Sequence, residues 1–147
     1  MQEKHAHVNP EAWGPHYWFF LHTIAYHYPA FPTNVTKRKY YDLIQNIPIF
    51  VPDAKMGDKF AEFLDRYPVS PYLDSRESFM RWVHFVHNKF NTFLGKEEIS
   101  FYQSLDNYYQ QIMPKPIIEY KSRTIYRDLL YVGILCLLVL FVYLNNI

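Results

Sequence analysis

Two stretches decide the fold, WGPHYWFFLHTIAYHYP at residues 13–29 and WVHFVHNKFNTFLGK at residues 82–96. In the first, Trp13, Tyr17, Phe20, Leu21 and Ile24 recur at helical spacing after the start signal Asn9-Pro10-Glu11, and the pattern ends near Pro29. The second lies in a long helix that opens at Ser75, with Glu77 and Ser78 in its first turn. Phe79, Trp82, Val83, Val86, Phe90, Phe93 and Leu94 form its apolar stripe, and Gly95 closes it. Between them, residues 36–50 carry Tyr40, Leu43, Ile44 and Ile47 on one face, with Pro48 in the last turn. Residues 54–67 carry Met56, Phe60, Phe63 and Leu64 and stop at Pro68. A fifth, shorter helix fits residues 100–112. No strand alternation or internal repeat competes, so the reading is an all-α bundle of four to five helices over residues 12–113, after a tail at 1–11.

Composition agrees with one aromatic helical core. Of 147 residues, 50% are hydrophobic and 20% aromatic, and only four are glycine. A formal net charge of +1 gives no field that would draw the chain to nucleic acid. Its single cysteine, Cys136, excludes an intramolecular disulfide and a cysteine zinc site.

Beyond Asp128 there is no charge at all: LLYVGILCLLVLFVYLNNI at residues 129–147 reads as a membrane span, about 28 Å long as a helix against a hydrocarbon layer of about 30 Å. A buried core helix is the ordinary reading of such a run. The absence of any polar face argues against it, as do Lys121, Arg123 and Arg127 upstream and Tyr126, Tyr131 and Tyr143 near the ends. Because the basic residues precede the span, the helical domain is expected on the cytosolic side, with 129–147 as a tail anchor and the Pro114/Pro116 stretch, 114–128, as a basic linker.

Within the two deciding stretches, Trp13, Gly14, Trp18 and His22, then Trp82, His87, Asn88, Asn91 and Lys96, form a pair of motifs, WGPxxW with a downstream His and HNxxN followed by LGK. An aromatic stripe is ordinarily core, and a His or Asn on a helix is ordinarily satisfied by its neighbours. Packing alone does not call for the two motifs together. They resemble the flavin-binding signature of the Erv/ALR sulfhydryl oxidases, over roughly residues 12–105, and the style is that of the small oxidases of large cytoplasmic DNA viruses.

The resemblance implies that these nine residues surround FAD, whose flat rings stack on Trp and whose polar atoms meet His and Asn, with the Lys96 charge suited to a diphosphate. It also implies a CxxC after a proline at the start of the third helix. Here the segment reads FVPDAKMGDKF: Pro52 is present, but Asp53 and Met56 stand at the cysteine positions. Neither forms a disulfide. The Asp53 charge would also oppose an anionic reduced ring, and Phe50 and Phe60 are candidates to fill the vacated space.

The expected function is therefore a redox-inactive, membrane-anchored relative with a structural or scaffolding role, dimeric or bound to protein partners, in a viral particle or its membrane. Two alternatives stand beside it: a flavin oxidase whose cysteines come from a partner, and a helical module without cofactor. His16, His22, His84 and His87 are not read as a metal site, because the resemblance already uses His22 and His87 and no carboxylate sits at matching spacing.

Overall fold

The structure, a computed structural model, describes residues 9–113 and the helix over 118–145, with side chains from residue 125 onward in that last part. All regular structure among these residues is helical: α1 (Pro10–Tyr26), α2 (Asn34–Phe50), α3 (Ala54–Arg66), a 3-10 turn (Ser70–Tyr72), α4 (Arg76–Phe93), α5 (Phe101–Ile112) and α6 (Ile118–Asn145). The chain divides into two compact units, Met1–Gln111 and Ile112–Ile147.

Local chemistry sets the helix starts. Asn9 accepts the Glu11 N–H at 3.0 Å, Thr33 that of Thr36 at 3.2 Å, Asp53 that of Met56 at 3.0 Å, Ser75 that of Ser78 at 3.2 Å and Ser100 that of Gln103 at 3.1 Å. Each such cap contributes about 1 kcal/mol. Helix α4 ends in a Schellman arrangement: Gly95 has φ +71°, the Lys96 N–H donates to the Asn91 carbonyl at 2.8 Å, and the Gly95 N–H donates to Thr92 at 3.1 Å.

In the first unit α1 packs on α4 and α2 on α3 around one aromatic core. Tyr28, Ile44, Val69, Phe79, Val83 and Val86 are its most completely buried side chains. The Tyr28 hydroxyl donates to the Leu73 carbonyl at 2.8 Å, so this phenol is buried with its polar end satisfied. Helices α2 and α3 approach closely at Gly57, where an added Cβ would lie 2.7 Å from the Pro48 carbonyl oxygen. Pro48, inside α2, leaves the helix continuous to Phe50.

Two expectations change. Phe60 is buried beside Trp18 and Phe90, but Phe50 is 66% exposed and fills nothing. As the last residue of α2 it turns its ring outward, while its carbonyl accepts the Tyr17 hydroxyl at 2.7 Å. In the stretch read as a linker, α6 begins at Ile118 and runs without a break into the apolar block. Its portion Ile125–Asn145 is long and apolar enough to cross a membrane, about 31 Å at helical rise. Residues 1–8, 114–117 and 146–147 of the tail, linker and anchor lie outside the described residues.

Candidate functional site

A cleft of about 310 Å³ opens in the first unit, lined by α1, α4, α5 and the loop that joins the last two. Helix periodicity explains who reaches it. Gly14, Trp18 and His22 are spaced by four along α1 and share a face, while Leu21 and Ala25, one face over, enter the core. On α4, His87 and Asn91 are again four apart and face the cleft, and Lys96 follows from the turned C-cap. A smaller apolar hollow of about 60 Å³ shares Pro10, Gly14, Trp18 and Leu94 with the cleft and extends to Trp13, Met56 and Phe60.

Trp18 stands between the two hollows. It stacks on the His87 ring at 4.1 Å with 5° between planes, and meets Phe60 and Phe90 edge-on at 6.3 and 5.4 Å. His87 Nδ1 and His22 Nε2 lie 3.1 Å apart, so one of these nitrogens carries the shared proton. Burial, with a smaller push from His84, lowers His22 to about 4. Burial, followed by His22, His84 and Lys96, lowers His87 to about 3. At neutral pH both rings are uncharged, so each has one donor and one acceptor nitrogen.

This pair has a pH signature. The unfolded rings take up protons near pH 6.5, whereas the folded rings resist until pH 4 to 3, so between those limits the unfolded state binds more protons. Stability therefore falls as pH drops from about 6.5 toward 3. Thermal melts at pH 7 and pH 5 are expected to show a lower midpoint at pH 5. In His22→Gln that difference shrinks; an undiminished difference would assign the acid sensitivity elsewhere.

The two positions expected to hold cysteines have acquired other duties. Asp53 caps α3 through its carboxylate. Met56, 9% exposed, packs in the core and walls the smaller hollow. The residue types at this turn thus serve folding, one as a cap and one as packing.

Of the nine residues read as cofactor contacts, the structure brings Gly14, Trp18, His22, His87, Asn91 and Lys96 to the cleft and Trp13 to the adjoining hollow. Trp82 is not among them. It is 2% exposed, stacks with Phe79, and donates its indole N–H to the Tyr67 carbonyl at 3.0 Å. Five positions separate it from His87, which places the two about 140° apart around α4, and that spacing was visible in the sequence. Asn88 is also turned away. It is 8% exposed and faces the loop after α4, not the cleft. The sequence reading placed α5 but gave it no part in the site: Ser104, Asn107, Tyr108 and Gln111 line the cleft at i, i+3, i+4 and i+7, a one-face pattern that could have been read. Among the described residues no cluster of three or more His, Cys, Asp or Glu side chains has a metal-holding arrangement.

The fold and cleft define a helical-bundle domain with an aromatic-walled, histidine-bearing cleft. The chain belongs to the Erv1 / Alr family, whose model matches residues 15–111. It is 30% identical over 114 residues to a probable FAD-linked sulfhydryl oxidase of Acanthamoeba polyphaga mimivirus, covering 77% of this chain and 80% of that protein. It is 30% identical over 105 residues to an FAD-linked sulfhydryl oxidase of African swine fever virus, covering 71% and 86%. Against the FAD-linked sulfhydryl oxidase ERV1 of Arabidopsis thaliana, identity is 36% over 89 residues, 60% of this chain and 46% of that protein, so the chain spans less than half of the plant relative. The crystal structure of the FAD binding domain of Erv1 from Saccharomyces cerevisiae superposes with a TM-score of 0.62 at 26% identity, covering 71% of this chain and 94% of that one.

Proposed function

We propose that this protein keeps the FAD-binding cleft of its family and has lost the dithiol half of the reaction, serving as a membrane-attached scaffold. The observation that carries this reading is the turn at the start of α3, where Asp53 is a helix cap and Met56 is core packing. FAD, when bound, supplies two-electron redox chemistry. The chain's own residues fit it: Trp18 offers an aromatic face, His22, His87 and Asn91 offer polar atoms, and Lys96 offers a positive charge. Gly14 supports the fit, because a Cβ there would meet nothing within 4 Å, which leaves its side of the cleft open.

The likeness to two viral oxidases over most of the chain supports a place in a viral particle or its membrane. The α6 span supports attachment, and the basic residues before it support a cytosolic helical domain. Exposed apolar side chains on the first unit, among them Phe31, Val35, Ile49 and Phe50, support a homodimer or protein partners.

The test is the visible spectrum of the full chain in detergent after loading with FAD and removing free flavin, followed by oxygen uptake with dithiothreitol. Bound flavin with no thiol-dependent uptake is the expected result. Colourless folded protein overturns cofactor retention, and uptake by the chain alone overturns redox inactivity. A second reading, an oxidase using a partner's cysteines, is favoured by the smaller hollow that Met56 walls, which shares Trp18 and Gly14 with the cleft. It predicts uptake only when a cysteine-bearing partner is added.

Gly14→Ala separates fold from site. The added methyl improves helix propensity and is expected to raise stability by about 0.5–1 kcal/mol. It also enters the cleft, so FAD affinity falls while the melting temperature of the unliganded protein rises. A variant that loses both stability and affinity would show that Gly14 serves the fold.

A further inference from the structure

We propose that Asn88 is a positioning residue and not a ligand: it latches residues 94–100 back along α4 and so presents Lys96 and Ile99 to the cleft. This rests on the FAD reading above and assigns a different task to a residue of the HNxxN motif.

The argument is one of hydrogen-bond capacity. A primary amide has two N–H donors and an oxygen with two lone pairs. In Asn88, Nδ2 donates to the Ile99 carbonyl at 2.8 Å and to His84 Nε2 at 3.2 Å, while Oδ1 accepts the Ile99 N–H at 3.2 Å and an Asn91 side-chain N–H at 3.3 Å. All four sites are used within the protein, and nothing remains for a cofactor. Because Nδ2 donates to it, His84 Nε2 is unprotonated. The ring's proton therefore sits on the buried Nδ1, which has no partner among the described residues.

Two of the four bonds grip both backbone polar atoms of Ile99, as a neighbouring strand would. Neighbouring residues reinforce the grip. The Thr92 hydroxyl donates to Glu98 Oε1 at 2.8 Å, Lys89 reaches the same oxygen at 3.3 Å, and the Schellman turn fixes the Lys96 amide on Asn91. Lys96 is the one cationic side chain among the described residues that line the cleft, and Ile99 lines it too. Its position depends on a seven-residue strap held at both ends and tied in the middle. The Asn88 bond to Asn91 adds a second consequence, since it also sets the orientation of an amide that does face the cleft.

The test uses the full chain in detergent and four proteins: unsubstituted, Asn88→Asp, Lys96→Met and the double variant. Asn88→Asp keeps the shape and the two acceptor roles but sets a carboxylate oxygen against the Ile99 carbonyl and His84 Nε2. Hydrogen–deuterium exchange across 94–100 is expected to speed up by about tenfold or more, the size of a lost buried hydrogen bond, with the α1 and α2 amides unchanged. FAD affinity by flavin fluorescence is expected to fall by about tenfold in Asn88→Asp and in Lys96→Met, and the double variant is expected to be little worse than either single one. Multiplicative losses in the double variant would overturn the inference, since Asn88 would then act independently of Lys96. Unchanged exchange over the strap would overturn it as well.

Thr92→Val guards against a global folding defect in Asn88→Asp. It removes the Glu98 tie without touching the cleft, and is expected to give a smaller change of the same kind in both readouts; a strap left at its original exchange rate would count against the latch. If the unsubstituted chain binds no FAD, the proposed function falls and the cofactor half of this inference with it. The exchange rates still decide whether Asn88 holds the strap.

Discussion

The double substitution Asp53→Cys/Met56→Cys is expected to raise thiol-dependent oxygen uptake, measured with dithiothreitol, above that of the unsubstituted chain, which the proposed function places at background. The two positions are the cap and the third residue of α3, where the Asp53 carboxylate already reaches the Met56 amide at 3.0 Å. A pair of cysteines spaced this way at a helix N-terminus has its thiolate favoured by the helix dipole. Met56 walls the hollow that adjoins the cleft, so a thiol there would lie beside the same wall as Trp13 and Phe60. In the balanced reaction two thiols lose two electrons and two protons to form a disulfide, and dioxygen takes up both as hydrogen peroxide.

The expected rise is from background to about one turnover per second or faster, the lower part of the ordinary enzyme range, with each single substitution remaining at background. The gain has a cost in stability: about 1 kcal/mol for the lost cap and up to about 3 kcal/mol for the lost Met56 packing. Uptake is therefore measured on protein shown by circular dichroism to be folded. A folded double variant that binds FAD and still consumes no oxygen would mean that more than the cysteine pair separates this chain from an oxidase.

Trp82→Ala has the second large effect, and its interest is in what it leaves intact. The indole is 2% exposed, stacks on Phe79, and donates to the Tyr67 carbonyl, so its removal opens a cavity and leaves that part-buried acceptor without its donor. Such truncations cost about 3–5 kcal/mol, with the unpaired carbonyl adding to the cavity term. Urea titration is expected to show a loss of this size. At low temperature, the fraction that remains folded is expected to bind FAD with unchanged affinity, because Trp82 lines neither the cleft nor the adjoining hollow. A loss of affinity per folded molecule would return Trp82 to the binding site.

Helix positions were largely legible in the residues themselves. The starts at Ser75 and Ala54 and the ends near Gly95 and Pro68 coincide with the observed helices within a residue or two, because caps and breakers act over three or four residues. The candidate site was legible only in part. Gly14, Trp18, His22, His87, Asn91 and Lys96 line one cleft, whereas Trp82 and Asn88, from the same motif pair, face other directions. Phe50 was expected to fill space that it does not reach, since its neighbours on α2 decide which face is turned inward. The contribution of α5 was unread because its polar–aromatic face carried no familiar motif.

The sequence by itself determined the helical periodicity, the capped ends, the apolar final block and the absence of a cysteine pair, all of which depend on residue type and short-range spacing. Only the tertiary structure decided that Met56 became packing and that Asn88 spends its amide on the strap and not on the cleft. Those facts depend on which surface each helix turns toward its neighbours. That choice is made by burying the largest apolar area with nearly every buried polar atom satisfied, which is a property of the assembled bundle and not of any one segment.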